Sequence, residues 1–114
     1  MHPEWDLRLW DDEAVAAELS QRPLANTQAY EAASNHGERS DILRLELLQR
    51  YGGVYVDVDF ACVRPLTPLL RAMVAAGVGF FCGVSNTAYY ELNNGLLGSV
   101  PQHPFLQACV SAIR

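Results

Sequence analysis

The stretch YGGVYVDVDF, residues 51–60, decides how the rest of the chain is read. Val54, Val56, Val58 and Phe60 alternate with Tyr55, Asp57 and Asp59, which is the period of a β-strand over residues 54–60 with the two sets on opposite faces. Gly52 suits the left-handed position just past a helix end, and the Gly52-Gly53 pair turns the chain into the strand. Two carboxylates in so apolar a strand need compensation, because strands deplete Asp and an unpaired buried carboxylate costs several kcal/mol. Side chains at i and i+2 stand on one strand face roughly 7 Å apart, so Asp57 and Asp59 can approach one cation from the same side. Hard oxygen ligands suit Mg²⁺ or Mn²⁺, which keep several waters and take their remaining oxygens from a substrate diphosphate. The same tripeptide also fits the wet end of a strand, with both carboxylates facing only solvent.

Before this strand, Ser40 is an N-cap for a helix over 41–51 in which Leu45 and Leu48 share a side with Asp41 and Arg44. Asp41 and Arg44 lie one turn apart and can face the same pocket as the carboxylates. Such a pair is ordinarily a surface ion pair of little worth; the alternative is that Asp41 accepts from sugar hydroxyls while Arg44 meets a phosphate or a sugar oxygen. Further towards the N-terminus, Trp5, Leu7 and Leu9 alternate with Asp6 and Arg8 as a short strand would. Asp11-Asp12-Glu13 then opens a helix to Gln21, closed by Pro23, and residues 24–36 read as another helix ended by Asn35-His36-Gly37.

After Phe60, Pro65 and Pro68 bracket the entry to a helix within 65–77, and residues 77–85 read as a second buried strand. Asn93-Asn94-Gly95 reads as a turn into a short strand ending near Val100, and Pro104 opens a last helix behind His103, a helix-entry residue. Helices alternating with short apolar strands indicate an α/β domain with a mostly parallel sheet flanked by helices.

Composition narrows the function. The chain has 114 residues, is 50% hydrophobic, and carries Lys+Arg 8 against Asp+Glu 13, a formal net charge of -5. That fits one folded unit over residues 1–114, and no basic run could follow a nucleic-acid backbone. Cys62, Cys82 and Cys109 sit among apolar residues without metal-type spacing, so buried thiols in a reducing compartment are expected. No apolar run reaches the roughly 18 residues of a membrane span, and the N-terminus lacks the pattern of a signal peptide.

The segment ERSDILRLELLQRYGGVYVDVDFACVRPL resembles the core signature of the DxD glycosyltransferases that carry the glycosyltransferase sugar-binding region. This family 32 group includes initiating α-1,6-mannosyltransferases and bacterial capsule transferases, with the clostridial glucosylating toxins more distant. Ser40-Asp41, Arg44, Gly52-Gly53, Tyr55, Asp57 and Asp59 fall at the family's spacing, and ELNNGLLGSVPQHPFL resembles its downstream Asn segment with a His-Pro helix entry.

The resemblance implies a partial GT-A-like fold, a UDP- or GDP-sugar donor, Mn²⁺ or Mg²⁺, and transfer with retention to a glycan or polysaccharide acceptor. By the same resemblance Asp57 contacts the donor and the metal shell, and Asp59 ligates the metal. Asp41, Arg44, Tyr55 and Gly53 line the donor sugar site, and Asn94 stands near the reacting centre; an Asn-Gly turn remains the other account of Asn94. The family's first strand and its C-terminal segment are expected to be missing, which exposes a sheet edge suited to a homodimer. The alternative is a truncated or decayed relative that folds and binds a sugar or a protein partner without turnover. Resemblance and absent signals together imply a bacterial, cytoplasmic location peripheral to the membrane.

Overall fold

The computed structural model describes residues 2–114. In chain order the elements are α1 (Asp12–Gln21), α2 (Thr27–Ala32), α3 (His36–Tyr51), β1 (Gly53–Val56), α4 (Thr67–Ala75), β2 (Phe80–Asn86), β3 (Tyr90–Ser99) and α5 (Pro104–Ala112). The strands make one three-stranded sheet in the order β1-β3-β2, and β3 runs antiparallel to both neighbours. The expected mostly parallel sheet is therefore corrected. Alternation of helices and strands suggested crossovers, but β2 and β3 are consecutive strands of a hairpin, and β3 returns through the middle to pair with β1.

Tyr55, Leu97 and Cys82 stand side by side across the three strands. With Phe80 they pack against Leu45 and Leu48 of α3 and Leu106 of α5, and Leu106 is wholly buried. The buried face of β1 is thus the Tyr55 face. The opposite, valine-bearing face is the more open one: Val56 is 46% and Val58 94% exposed.

Helix α3 starts five residues earlier than the Ser40 cap predicts. Asn35 Oδ1 accepts from Glu38 N–H at 3.0 Å, and Glu38 Oε2 accepts from Ser34 N–H at 2.8 Å. This reciprocal cap satisfies first-turn donors, so Asn35-His36-Gly37 begins a helix instead of ending one. At the far end Gly52 adopts φ 65 and its N–H reaches the Leu48 carbonyl, as expected of a C-terminal glycine. A Cβ at Gly52 would also lie 2.6 Å from Pro101, so the glycine is required twice over.

Glu46, on α3, is 3% exposed. Its carboxylate accepts from the Ala25 and Asn26 N–H groups, each at 2.8 Å, and from Asn26 Nδ2 at 3.1 Å. Asn26 Nδ2 also donates to the Val110 carbonyl, which ties the α1–α2 connection to both α3 and α5. Residues 5–9, expected as a strand, form none. Leu7 and Leu9 are 91% and 69% exposed, while Trp5 Nε1 donates to Thr67 Oγ1 at the start of α4. The thiols differ from expectation as well: Cys82 and Cys109 are half-buried and free, and Cys62 is exposed with its Sγ 3.2 Å from the Arg64 carbonyl.

Candidate functional site

On α3, Arg44 and Leu48 are one turn apart on the side that faces β1, so core and site are continuous. Leu48 packs in the core with Tyr55, and Arg44 lies one turn above with its Cζ 4.7 Å from the Tyr55 ring centroid. Arg44 is 6% exposed. Its Nε donates to the Ser40 carbonyl at 3.2 Å and its Nη1 to the Asn94 carbonyl at 2.8 Å. Nη2 lies 3.1 Å from Asp41 Oδ1, and Nη1 3.4 Å from Asp57 Oδ1. A planar guanidinium holds such a spread of acceptors where an ammonium could not.

Asp57 continues the Tyr55 side of β1 just past its end, where its N–H donates to the Gly95 carbonyl at 2.8 Å. The Tyr55 hydroxyl donates to Asp57 Oδ1 at 2.6 Å. Burial first, and then this hydrogen bond to a carboxylate, push the Tyr55 hydroxyl up to about 12, against the opposing pull of Arg44. Tyr55 therefore remains a donor at neutral pH. From β3, Asn94 Nδ2 donates to Asp41 Oδ1 at 3.0 Å, closing the ring of contacts. Asp41, Arg44, Tyr55, Asp57 and Asn94 are thus brought together from α3, β1 and β3.

Asp59 and Gly53 are not. The strand ends at Val56, and the Phe60 N–H bonds to the Asp57 carbonyl, so Val58 and Asp59 form a turn. The expected i, i+2 geometry of Asp57 and Asp59 on one strand face fails for that reason; Asp59 is exposed in the turn. Gly53 opens β1 at φ 98, with nothing within 4 Å of where a Cβ would stand. Its positive φ explains the glycine without any ligand.

Asn93-Asn94-Gly95 is not the expected turn. It is a bulge inside β3, where the register with β2 jumps from Cys82↔Leu97 to Gly83↔Asn93. Gly95 was overlooked in the sequence. A Cβ there would lie 2.8 Å from Asp57 Oδ2 and 2.9 Å from Phe60, so glycine is what lets the Asp57 carboxylate settle against β3. The chain does turn at residues 87–89, Thr-Ala-Tyr, which lack the Gly, Pro or Asn that would have announced it. His103 caps α5, its Nδ1 accepting from Phe105 N–H at 3.2 Å, in keeping with a helix-entry residue.

Among the described residues no cluster of three or more His, Cys, Asp or Glu side chains could cage a metal. Asp57 and Asp59 carry the hard oxygen donors that Mg²⁺ or Mn²⁺ takes beside water and phosphate oxygens, but the turn at 58–59 takes Asp59 off the strand face that Asp57 continues. Hollows of about 380 Å³ beside Trp5 and Leu70, and of about 220 Å³ beside Trp10 and Glu18, both lie away from these carboxylates.

Residues 1–75 match the model of the glycosyltransferase sugar-binding region containing the DXD motif. The whole chain is 31% identical over 114 residues to the mannosyl phosphorylinositol ceramide synthase SUR1 of Saccharomyces cerevisiae, and covers 28% of that protein. It is 33% identical over 107 residues to the inositol phosphoceramide mannosyltransferase 3 of Schizosaccharomyces pombe, which takes in 93% of this chain and 28% of the relative. A human alpha-1,4-N-acetylglucosaminyltransferase is 32% identical over 71 residues, 62% of this chain and 17% of that one. No solved structure matches.

Proposed function

Because the chain belongs to the family of glycosyltransferase sugar-binding regions containing a DXD motif, we propose that residues 1–114 are the sugar-binding core of a metal-dependent, retaining glycosyltransferase of GT-A-like fold. Its donor is a nucleotide-diphosphate sugar. Its acceptor is a hydroxyl on a glycan or, as the names of the fungal relatives suggest, on an inositol-phosphate headgroup of a ceramide lipid. The carrying observation is the ring of Asp41, Asp57, Tyr55 and Asn94 about the buried Arg44.

Transfer breaks the bond from the anomeric carbon to a diphosphate oxygen and makes one from that carbon to the acceptor oxygen. The acceptor's proton leaves with the released nucleoside diphosphate. A divalent metal, were it held by Asp59 and Asp57, would supply Lewis-acid stabilisation of the charge that builds on the diphosphate. Asp41, 55% exposed, has carboxylate oxygen free to accept from sugar hydroxyls, while Arg44 beneath it fixes its direction. Asp57 is held by Tyr55 and Arg44 through Oδ1, which leaves Oδ2 for the donor side. Asn94 stands beside Asp41, where its amide would border the reacting carbon.

A second reading is favoured by the position of Asp59 outside this ring. The chain spans about 28% of the length of the first two relatives; the second reading is a core that binds sugar or a partner without turnover. With β3 central, β1 and β2 each have one edge without a strand among the described residues, which supports pairing between two copies.

Calorimetric titration with UDP- and GDP-sugars, with and without Mn²⁺, tests the proposal. Mn²⁺-dependent binding is expected, and Asp59→Asn should abolish it. Unchanged metal-dependent affinity in that variant would sink the metal assignment. Binding without transfer to any supplied acceptor would favour the second reading.

A further inference from the structure

The bulge in β3 carries the site's links to that strand. The Asn94 carbonyl receives Arg44, the Asn94 side chain reaches Asp41, and the Gly95 carbonyl receives the Asp57 N–H. A bulge breaks the ladder that would otherwise fix these groups, so something else must hold its shape. Asn93 supplies the hold. Its Oδ1 accepts from the Gly95 N–H at 2.7 Å, the i to i+2 bond of an Asx-turn, and its Nδ2 donates to Ser85 Oγ at 2.9 Å on β2. Gly83 lies opposite Asn93 and has no side chain to compete for the space. A Cβ on Gly95 would meet Asp57 Oδ2 and Asn93 Oδ1 almost equally, at 2.8 and 2.9 Å, so glycine lets both oxygens converge there.

We infer that Asn93, braced by Ser85, is a positioning residue that sets the β3 bulge and through it the placement of Asn94 and Asp57. Its side-chain hydrogen bonds run to Gly95 and Ser85. Its consequence for binding rests on the glycosyltransferase reading above, whereas its hold on the bulge does not.

Two measurements on the same purified chain separate these. Amide hydrogen exchange should quicken roughly tenfold or more at Gly95 and Asp57 in Asn93→Ala, because one bond is lost and the other loosened. The amides of α5 should keep their protection. Asn93→Asp, which retains the accepting oxygen, should restore Gly95 protection, and Ser85→Ala should give a smaller change in the same direction. In Mn²⁺-dependent calorimetry with UDP- and GDP-sugars, Asn93→Ala should weaken the affinity about tenfold, the loss of roughly one net hydrogen bond's worth of organisation. Wild-type protection at Gly95 and Asp57 in Asn93→Ala overturns the inference, and so does quickened exchange with undiminished sugar-nucleotide affinity. If the wild-type chain binds no sugar nucleotide, the glycosyltransferase reading fails, and exchange alone decides whether Asn93 sets the bulge.

Discussion

Arg44 is the residue on which the candidate site turns, because it is buried and, Ser40 apart, the neighbours it neutralises or bonds are the other members of the ring. Arg44→Lys keeps the charge but cannot span the acceptors of Ser40, Asp41, Asp57 and Asn94. Asp41 and Asp57 stay partly hydrated, so the expected loss is about 1–3 kcal/mol, below that of a fully buried pair, read from urea unfolding midpoints. Tyr55 gives a pH signature. Its hydroxyl is raised from 10.0 to about 12 in the folded chain, so the folded state holds that proton more tightly. The stabilisation is complete below pH about 10 and is lost as pH climbs towards about 12. Tyr55→Phe should remove that part of the alkaline decline in melting temperature; an identical decline in the variant would contradict the Tyr55–Asp57 bond. Asp41, Arg44 and Asp57 stand out in the sequence as charges on a helix and strand that need partners, whereas Tyr55 and Asn94 come only with the family resemblance. Asn93 and Gly95 could not be picked out. An Asx-turn within a strand looks in sequence like an Asn-Gly hairpin turn, and a close approach to Gly95 needs the partner strand's register. The displacement of Asp59 was hidden too, since apolar alternation runs through Val58 and Phe60 although the strand stops at Val56.

At the scale of elements, packing separates side chains that the sequence pattern grouped together. Leu48→Ala should cost about 2–5 kcal/mol, because its side chain is 4% exposed within the central cluster. Val56→Ala, on the more open face of β1, should cost less than about 1 kcal/mol. Thermal and urea unfolding of both variants would check the contrast, and equal losses would mean that the buried face of β1 is misassigned. Glu46→Leu should cost about 2–4 kcal/mol by orphaning the Ala25 and Asn26 N–H groups, despite its greater hydrophobicity. Helix positions were largely legible, since α1, α4 and α5 start at the Asp11 cap and the Pro68 and Pro104 positions that mark them. The early start of α3 was missed because a glycine at its second position looks like a stop, whereas Asn35 and Glu38 cap it. Strand direction was beyond the pattern. Parallel and antiparallel strands share the same two-residue period, and only the hairpin at residues 87–89 distinguishes them.

For the whole molecule, surface area is the telling quantity. The accessible surface is 8095 Å², against about 6,200 Å² for a compact monomer of this mass. The difference exceeds the total that a standard protein interface buries, roughly 1,600 Å². Much of it is apolar, including Tyr89 and Tyr90 at the hairpin tip with Leu92 and Val84 beside them. If that surface drives pairing of copies along β2, light scattering should give about twice the mass of one chain at micromolar concentration. Val84→Lys should return it to one; a monomeric wild type would rule out that edge as a self-association surface. The sheet order has a consequence for the growing polypeptide. Strand β1 leaves the ribosome well before β3, its one strand neighbour among the described residues, and Arg44 must wait 50 residues for the Asn94 carbonyl. Until the last third of the chain has been synthesised, the acidic groups around Arg44 stay in water and the tyrosine ring has no finished wall to lean on. The face around Arg44 is therefore completed only once β3 has been made, and a break in translation before residue 94 would leave α3 and β1 without it.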